Sequence, residues 1–232
     1  MAEKVLHRLA SVGFLALKNK NILAIVLLSG GLDSAVALYW AKAQGWKIQG
    51  LTFSYYLRSR REVQAADKIA RLNDLENRKI KLDFLKELED SKINNPFLKG
   101  ADSAYISSRN IIFYGIASSF AELSNAKYIV AGHNRDDVRN FPDSSIAFFD
   151  SFNATTKIGL VSGARTGRVI LPLSRLSKKQ VVTLGAKLGV PFQLTWSCYR
   201  SSQLPCGVCH SCELRASAFR DAGIEDPLVE TQ

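Results

Sequence analysis

The chain has 232 residues, of which 47% are hydrophobic and 22% are charged. This length and composition suit one globular α/β domain with a full core and exclude a low-complexity chain, and no apolar run reaches the ~20 residues that span a bilayer. The formal net charge of +10 favours a polyanionic partner, but the basic residues are scattered, so charge does not choose between a nucleotide and a nucleic acid.

The N-terminal residues predict a helix and no export signal. Residues 3–18 form an amphipathic pattern with Val5, Leu9 and Val12 on one face. The short apolar run at residues 9–17 is not followed by the small-residue cleavage site of a secretory signal. We therefore expect a cytoplasmic protein without a membrane anchor.

Strand-like and helix-like patterns alternate along the rest of the chain. Five apolar runs predict buried parallel strands at residues 22–28, 47–54, 78–84, 128–131 and 169–171. Helical patterns lie at residues 33–44, 60–72, 108–123, 177–188 and 213–221, with Gly45 and Gly189 where helix C-caps belong. The alternation predicts a doubly wound α/β domain with a mainly parallel five-stranded sheet. Residues 87–101 are predicted to form a long loop, of the kind that often acts as a lid.

A glycine-rich turn separates the first predicted strand from the first predicted helix. It consists of Ser29, Gly30, Gly31, Leu32, Asp33 and Ser34. Adjacent glycines let the backbone approach a ligand closely, and the exposed N–H groups and the helix dipole favour an anion. The turn has neither the Gly-Lys-Ser/Thr ending of a Walker A loop nor the spaced glycines of the dinucleotide fingerprint. It predicts a different kind of phosphate site at the carboxyl end of a strand.

The cysteines predict a compact metal-binding segment, here called the knot, near the C-terminus. The chain's four cysteines are Cys198, Cys206, Cys209 and Cys212. Short Cys-x-x-Cys spacings aim two sulfurs at one ion, and zinc prefers four tetrahedral thiolates. Disulfides are disfavoured in a cytoplasmic chain, and cysteines this close together in the sequence cannot link distant loops. Four thiolates leave no position for water, so the zinc is predicted to be structural, with His210 as a neighbour rather than a ligand.

These motifs together resemble one enzyme family. The glycine-rich turn resembles the PP-loop of the ATP-pyrophosphatase superfamily, and its combination with four cysteines resembles the 7-cyano-7-deazaguanine synthase (QueC) family. Similar segments are Tyr-Ile-Ser-Ser-Arg-Asn at residues 105–110, Gly-His-Asn at 132–134 with Phe-Pro-Asp at 141–143, and Leu-Thr-Trp-Ser-Cys-Tyr at 194–199. The resemblance covers residues 22–222. It implies an adenine nucleotide alpha hydrolase-like fold, one synthetase domain over residues 1–232 and a zinc-binding subregion at residues 195–222.

The resemblance also implies a reaction. Members of the family adenylate the carboxylate of 7-carboxy-7-deazaguanine, let ammonia displace AMP to give an amide, and then activate and dehydrate that amide. The product is the nitrile precursor of queuosine and archaeosine. The implied cofactors are ATP, Mg²⁺ and Zn²⁺, and the implied partners are the deazaguanine, ammonia and a second copy of the chain, with no direct nucleic-acid binding.

The family's functional residues map onto this chain by motif. The resemblance implies nucleotide binding by Leu28, Ser29, Gly30, Gly31, Leu32, Asp33, Ser34 and Leu38. It implies catalytic roles for Ser29, Asp33 and Arg109, with Asp33 placing Mg²⁺ and Arg109 steadying negative charge. The implied substrate-binding residues are Arg109, Asn110, Phe141, Pro142 and Asp143, and the Asp143 carboxylate suits the N–H donors of a guanine-like edge. Surface or helix-start roles for Arg109 and Asp143 are the alternatives.

Two segments depart from the family's pattern and leave other functions open. Residues 53–58 read Phe-Ser-Tyr-Tyr-Leu-Arg, where the family commonly has Phe-Asp-Tyr-Gly-Gln-Arg. Asp136 and Asp137 follow Gly-His-Asn, as in PP-loop enzymes that modify tRNA. The alternatives are a PP-loop enzyme acting on tRNA, a relative that modifies another substrate with a deazaguanine, and a non-catalytic module that binds through the zinc knot. Thiolation of tRNA is disfavoured because no cysteine remains outside the knot to carry sulfur.

Overall fold

One parallel sheet organises the domain. The computed structural model describes residues 21–90, 106–139, 141–200 and 202–228. Five strands pair in parallel in the order β3-β2-β1-β4-β5. They are β1 Leu23–Leu27, β2 Lys47–Ser54, β3 Asn77–Lys81, β4 Tyr128–Val130 and β5 Arg168–Ile170. The predicted five-stranded parallel sheet is confirmed.

Helices cover both faces of this sheet. They are α1 Leu32–Ala43, α2 Arg60–Leu72, α3 Phe84–Asp90, α4 Arg109–Ser124, α5 Ile146–Gly159, α6 Lys178–Leu188 and α7 His210–Ala222. Ala24 and Val26 of β1 pack in one core cluster with α1, α2, α6 and α7, whereas Ile25 packs in the other with α4 and α5. Burial on both faces explains why the central strand reads as a continuous apolar run. Among the described helices, none is long and apolar enough to cross a membrane.

Local capping signals fix the helix on the carboxyl side of β5. Ser177 caps α6 by accepting a hydrogen bond from the backbone N–H of Gln180, whose side chain in turn accepts from the Ser177 N–H. This reciprocal capping box satisfies two N–H groups that the helix itself leaves unpaired. Gly189 ends the helix with φ +73°, as predicted for a C-cap. Gly45 ends α1 in the same left-handed conformation, with φ +75°, directly after the C-cap residue Gln44.

Several predicted elements differ from the observed ones. Strand β3 ends at Lys81 and is largely exposed because it is an edge strand, and Phe84 begins a helix instead. Residues 87–90 belong to that helix rather than to a loop, and the rest of the predicted lid lies outside the described residues, as does the predicted helix at residues 3–18. Helix α5 was not predicted, since its run of Phe, Asn and Thr has weak helix propensity. Its one sequence signal is Ser145, whose hydroxyl accepts from the Phe148 N–H at 3.1 Å.

A buried ion pair attaches the C-terminal helix to the domain. Arg215 of α7 forms two hydrogen bonds with the carboxylate of Asp226, at 2.7 Å and 2.9 Å, and both side chains are almost fully buried. The guanidinium also donates to Thr195 Oγ1 at 2.7 Å and to the Phe192 carbonyl at 3.2 Å. The sequence did not predict this pair.

Removing one partner of this pair should be costly. Arg215→Ala would leave the Asp226 carboxylate buried without its cation, so we expect the free energy of unfolding to fall by about 3–5 kcal/mol. Urea denaturation of the metal-loaded protein measures this. Arg220→Ala, at an exposed position of the same helix, should change stability by less than about 0.5 kcal/mol. Equal stability of the two variants would contradict the structural role of the pair.

Candidate active site

A cleft of about 260 Å³ opens at the carboxyl ends of β1, β2 and β4. The chain adds β2 and β3 on one side of β1, and then β4 and β5 on the other side. The direction of strand addition therefore reverses between β1 and β4. Crevices at such reversals are the usual ligand sites of open parallel sheets. The cleft is lined by residues 29, 31, 33 and 34 from the turn after β1 and by Arg109, Asn110 and His133 from the opposite wall.

The turn at residues 29–34, here called the phosphate loop, depends on both of its glycines. Gly30 has φ +87°, and a Cβ there would lie 2.1 Å from the Glu62 carbonyl oxygen. A side chain at this position would therefore collide with the backbone of α2. Gly31 is the N-cap of α1, so the unpaired N–H groups of the first helical turn face the cleft.

Two serine hydroxyls hold the phosphate loop in shape. Ser29 Oγ donates to Ser34 Oγ at 3.0 Å and accepts from the Gly31 N–H at 3.1 Å. Ser34 Oγ in turn donates to the Gly31 carbonyl at 3.0 Å. These bonds preorganise the backbone N–H groups toward the cleft, which is what recognition of an anion requires.

The loop after β4 approaches the phosphate loop too closely for a side chain. A Cβ on Gly132 would lie 2.9 Å from the carbonyl carbon of Asp33 and 2.9 Å from the backbone nitrogen of Ser34. The Gly-His-Asn segment therefore begins with glycine for a steric reason, and this contact places His133 and Asn134 beside the phosphate loop.

Asp33 is tied to charged and amide side chains from two other loops. Its Oδ2 accepts from Lys178 Nζ, and its Oδ1 accepts from Asn134 Nδ2 at 3.4 Å. Asn134 also donates through its backbone N–H to Asp137 Oδ2 at 2.9 Å and through Nδ2 to Asp137 Oδ1 at 3.1 Å. Burial and the neighbouring Asp33 carboxylate raise the pKa of Asp137 to about 6, against the opposing effect of Lys178.

A second basic residue in the cleft, Arg58, joins the carboxyl ends of β1 and β2. Arg58 donates to the carbonyl oxygens of Ser29 and Phe53, and its Nε lies 3.5 Å from Glu62 Oε2. Burial raises the pKa of Glu62, although Arg58 and Arg109 oppose this shift. Arg58 therefore fixes the start of the phosphate loop relative to the segment after β2.

The departures from the family pattern in that segment lie away from the cleft. Phe53, Tyr55 and Arg58, which match the family, line it. Tyr56 and Leu57, which replace Gly and Gln, are 37% and 48% exposed and do not line it. The changed residues therefore alter the outer surface more than the binding wall.

The wall opposite the phosphate loop combines one cation with aromatic rings. The Arg109 guanidinium lies 6.0 Å from the Phe113 ring centre and 5.7 Å from that of Phe141. Phe113 in turn stacks on Phe53 at 4.5 Å. Such a surface suits a flat, anionic heterocycle, which can stack on the rings and pair with the guanidinium.

Asp143, the acidic residue predicted to bind the substrate, forms hydrogen bonds within the protein. Asp143 Oδ2 accepts from the Asn110 backbone N–H at 3.3 Å, and the Asp143 carbonyl accepts from Asn110 Nδ2 at 3.0 Å. These bonds cap the start of α4, where Ser108 has φ +55°. Asp143 therefore has the helix-start role that the sequence left open, and substrate binding by its other oxygen stays a prediction.

A half-buried histidine forms the back of the cleft. His133 Nε2 and Tyr114 Oη share a hydrogen bond of 2.9 Å, and the imidazole lies 5.2 Å from the Phe149 ring. Burial, helped by the charge of Arg109, lowers the pKa of His133 to about 4. His133 is therefore neutral near pH 7, and it presents a dipole rather than a charge to a ligand.

This pKa predicts a pH dependence of stability. In the unfolded chain the histidine has a pKa near 6.5, whereas in the folded protein its pKa is about 4. Between these two values only the unfolded state is protonated, so the stability that is present above pH 6.5 is lost as the pH falls toward 4. Between pH 7 and pH 5, wild type should lose about 2 kcal/mol more than His133→Gln in urea denaturation. Asp137 titrates in the same range with the opposite sign but is present in both proteins. Identical pH profiles would contradict a neutral His133 in the folded protein.

The four cysteines converge as the sequence predicted. The sulfur atoms of Cys198, Cys206, Cys209 and Cys212 all lie within 4.8 Å of one another. Four sulfurs at about 2.3 Å from a tetrahedral zinc ion lie about 3.8 Å apart, so the cluster fits such an ion. No disulfide links them. His210 begins α7 on the exposed surface and is not part of the group.

The cysteine cluster is joined directly to the phosphate loop. The Trp196 N–H donates to the Gly30 carbonyl at 2.8 Å, and its indole N–H donates to the Cys198 carbonyl at 2.8 Å. Trp196 also belongs to a core cluster with Ala65 of α2 and the four cysteines. Trp196 therefore connects the cysteine cluster to the phosphate loop.

The remaining predicted site residues lie in different surroundings. Leu28 lines the cleft, whereas Leu32 and Leu38 are 1% and 0% exposed in the core and position α1 instead. Pro142 begins a short 3₁₀ turn that carries Asp143 to α4. Sequence reasoning missed Glu62, Tyr114 and Lys178. Lys178 had a usable signal, since it begins a helix after the carboxyl end of β5, on the ligand-binding edge.

Comparison with known proteins gives one consistent family. The family model "Queuosine biosynthesis protein QueC" matches residues 23–223. The chain is 35% identical over 221 residues to a 7-cyano-7-deazaguanine synthase of Trichodesmium erythraeum, covering 89% of this chain and 99% of the relative. It is 34% identical over 215 residues to one of Thermoplasma acidophilum, covering 88% and 90%.

Solved structures of lower identity share the fold. NMN synthetase from Francisella tularensis is 19% identical, with a TM-score of 0.52 over 97% of this chain and 85% of that one. The U34-tRNA thiolase NcsA from Methanococcus maripaludis is 16% identical, with a TM-score of 0.52 over 94% of this chain and 70% of that one.

Proposed function

Because the chain belongs to the QueC family of queuosine biosynthesis proteins, we propose that it is an ATP-dependent ligase that makes 7-cyano-7-deazaguanine. Its substrates are 7-carboxy-7-deazaguanine, ammonia and ATP. The observation that carries this function is one cleft that has the phosphate loop on one wall and Arg109 with aromatic rings on the other.

The chemistry requires two activations of a poor electrophile. A carboxylate oxygen attacks the α-phosphorus of ATP, the bond to the β-phosphate breaks, and pyrophosphate leaves. The nitrogen of ammonia then attacks the carbonyl carbon, AMP leaves with the oxygen, and a proton is lost to give the amide. The amide oxygen then attacks the α-phosphorus of a second ATP, and pyrophosphate leaves again. Loss of AMP with that oxygen and of the two N–H protons forms the nitrile.

The residues of the cleft suit these steps. The phosphate loop would hold the leaving pyrophosphate through its N–H groups and the Ser29 and Ser34 hydroxyls. Arg109 would pair with the substrate carboxylate and with charge that develops on the nucleotide. Neutral His133 and the aromatic wall would exclude water from the acyl-adenylate. Water would otherwise hydrolyse this intermediate back to the carboxylate and AMP before ammonia reacts.

Magnesium is expected to accompany ATP. Asp33 and Asp137 offer carboxylate oxygens, the donors this ion prefers, and Asn134 bridges them. The ion would neutralise phosphate charge. The shared amide keeps the two carboxylates oriented toward one side of the phosphate loop.

Zinc is proposed for the four cysteines, in a structural role. The donor set of four thiolates has no open position, so the ion would stabilise the fold without contacting substrate. Its effect on activity would pass through Trp196, which joins the knot to Gly30.

We expect the protein to act in the cytoplasm as a homodimer. Leu123, Ile158 and Val161 are 85–94% exposed, and the Ser162 N–H bonds to Glu122 Oε1 at 2.7 Å, which brings these segments together. Exposed apolar patches are typical of protein interfaces. Light scattering of the purified protein measures the oligomeric state.

The contacts of Asp136 and Asp137 weaken the tRNA alternative. Asp136 Oδ2 accepts from the Lys178 N–H at 3.0 Å, and Asp137 accepts from Asn134. Both aspartates thus have partners within the fold that account for their presence without an RNA substrate.

Isotope transfer tests the adenylation step. When the substrate carboxylate carries oxygen-18, attack on the α-phosphorus should place one labelled oxygen in AMP, detected by mass spectrometry. Label in inorganic phosphate, with ADP as the nucleotide product, would instead show attack on the γ-phosphorus and would contradict the proposed reaction.

A further inference from the structure

We propose that Lys178 is a positioning residue of the phosphate site, and that it cancels the charge of Asp33 and Asp137 so that a polyanion can enter. This inference rests on the proposed use of ATP. It assigns to the loop after β5 a part in a site otherwise formed by the loops after β1 and β4.

The phosphate site contains an electrostatic conflict. Asp33 is the second residue of α1 and lies among the N–H groups of the first helical turn. Its carboxylate would repel a phosphate bound there, and Asp137 adds a second negative charge nearby. Like charges this close raise the free energy of any further anion unless a cation lies between them.

Lys178 is the cation that the structure places at this point. Its ammonium bonds to Asp33 Oδ2, and the side chains are 23% and 21% exposed, so water screens the pair only in part. Burial lowers the pKa of Lys178, but Asp33 and Asp137 outweigh that effect and raise it overall. The ammonium that bonds to Asp33 therefore carries the charge opposite to that of the two carboxylates.

The backbone around Lys178 is fixed independently of its side chain. Its N–H donates to Asp136 Oδ2 at 3.0 Å, and the Arg135 N–H donates to the Leu176 carbonyl at 2.9 Å. The capping box of Ser177 and Gln180 sets the first turn of α6. A change of the side chain alone should therefore leave the loop in place, which makes the charge separable from the fold.

Binding of inorganic pyrophosphate tests the inference. Calorimetry on the zinc-loaded protein in magnesium-free buffer compares Lys178→Gln with Lys179→Gln, an exposed neighbour. We expect Lys178→Gln to weaken pyrophosphate binding about tenfold or more and to leave adenosine binding within about twofold. Lys179→Gln should change neither.

A compensating variant separates charge from structure. Adding Asp137→Asn to Lys178→Gln removes one negative charge and should restore most of the pyrophosphate affinity. Asp137→Asn alone should tighten pyrophosphate binding, which provides a test if Lys178→Gln does not fold. Equal loss of adenosine and pyrophosphate binding, or no effect of Asp137→Asn in either background, would overturn the inference. Because no deazaguanine is present, a wrong substrate assignment would not affect these results.

Discussion

Asp33→Ala is expected to lower kcat for ATP-dependent turnover by about 10²–10³-fold with little change in melting temperature. The side chain lies in the first turn of α1 and is a fifth exposed, so its loss removes a magnesium-positioning oxygen without opening a core cavity. Pyrophosphate release under saturating ATP and magnesium measures the effect. In magnesium-free buffer the same variant should bind pyrophosphate no more weakly than wild type, since a repelling carboxylate has gone.

A matched control exists for this substitution. Asp150 is exposed on α5, and Asp150→Ala should keep full turnover. Full turnover in Asp33→Ala as well would contradict a catalytic role for the phosphate loop. A large fall in the melting temperature of this variant would instead show that Asp33 stabilises the fold.

Cys206→Ser is expected to lose metal and stability together. Structural zinc sites contribute about 10–16 kcal/mol to folding in small domains, so removal of one thiolate should lower stability by several kcal/mol out of a typical 5–15. Because Trp196 joins the knot to Gly30, turnover should fall with metal content. Elemental analysis and thermal denaturation measure both quantities.

The adjacent histidine provides the control for the knot. His210→Ala should retain one metal ion per chain and wild-type stability, since His210 is exposed and lies outside the cysteine group. A metal-loaded and stable Cys206→Ser protein would contradict a four-thiolate site, and metal loss in His210→Ala would indicate a different ligand set.

The parts of the site that the sequence predicted are local in the chain. The strand β1, the glycines after it and the start of α1 occupy a continuous segment, and the backbone requirements of Gly30 follow from that segment and its neighbour α2. The cysteines also lie within 15 positions, so their convergence needs only short turns.

The parts that the sequence did not predict depend on distant contacts. Lys178 and Asp33 are 145 positions apart, and only the packing of the loop after β5 beside the phosphate loop makes them an ion pair. The pairing of Arg215 is equally non-local, because its partner Asp226 and the Thr195 hydroxyl are placed by how α7 packs. Charge type is visible in a sequence, but burial and pairing are properties of the fold.

One incubation tests whether this cleft activates a deazaguanine. Purified protein is mixed with 7-carboxy-7-deazaguanine, an ammonium salt, ATP and magnesium, and the products are identified by mass spectrometry. We predict 7-cyano-7-deazaguanine as the final product, with AMP and pyrophosphate released and no nitrile when ammonium is omitted. Absence of both nitrile and amide, in protein that is folded and binds ATP, would contradict the assignment of this cleft to deazaguanine activation.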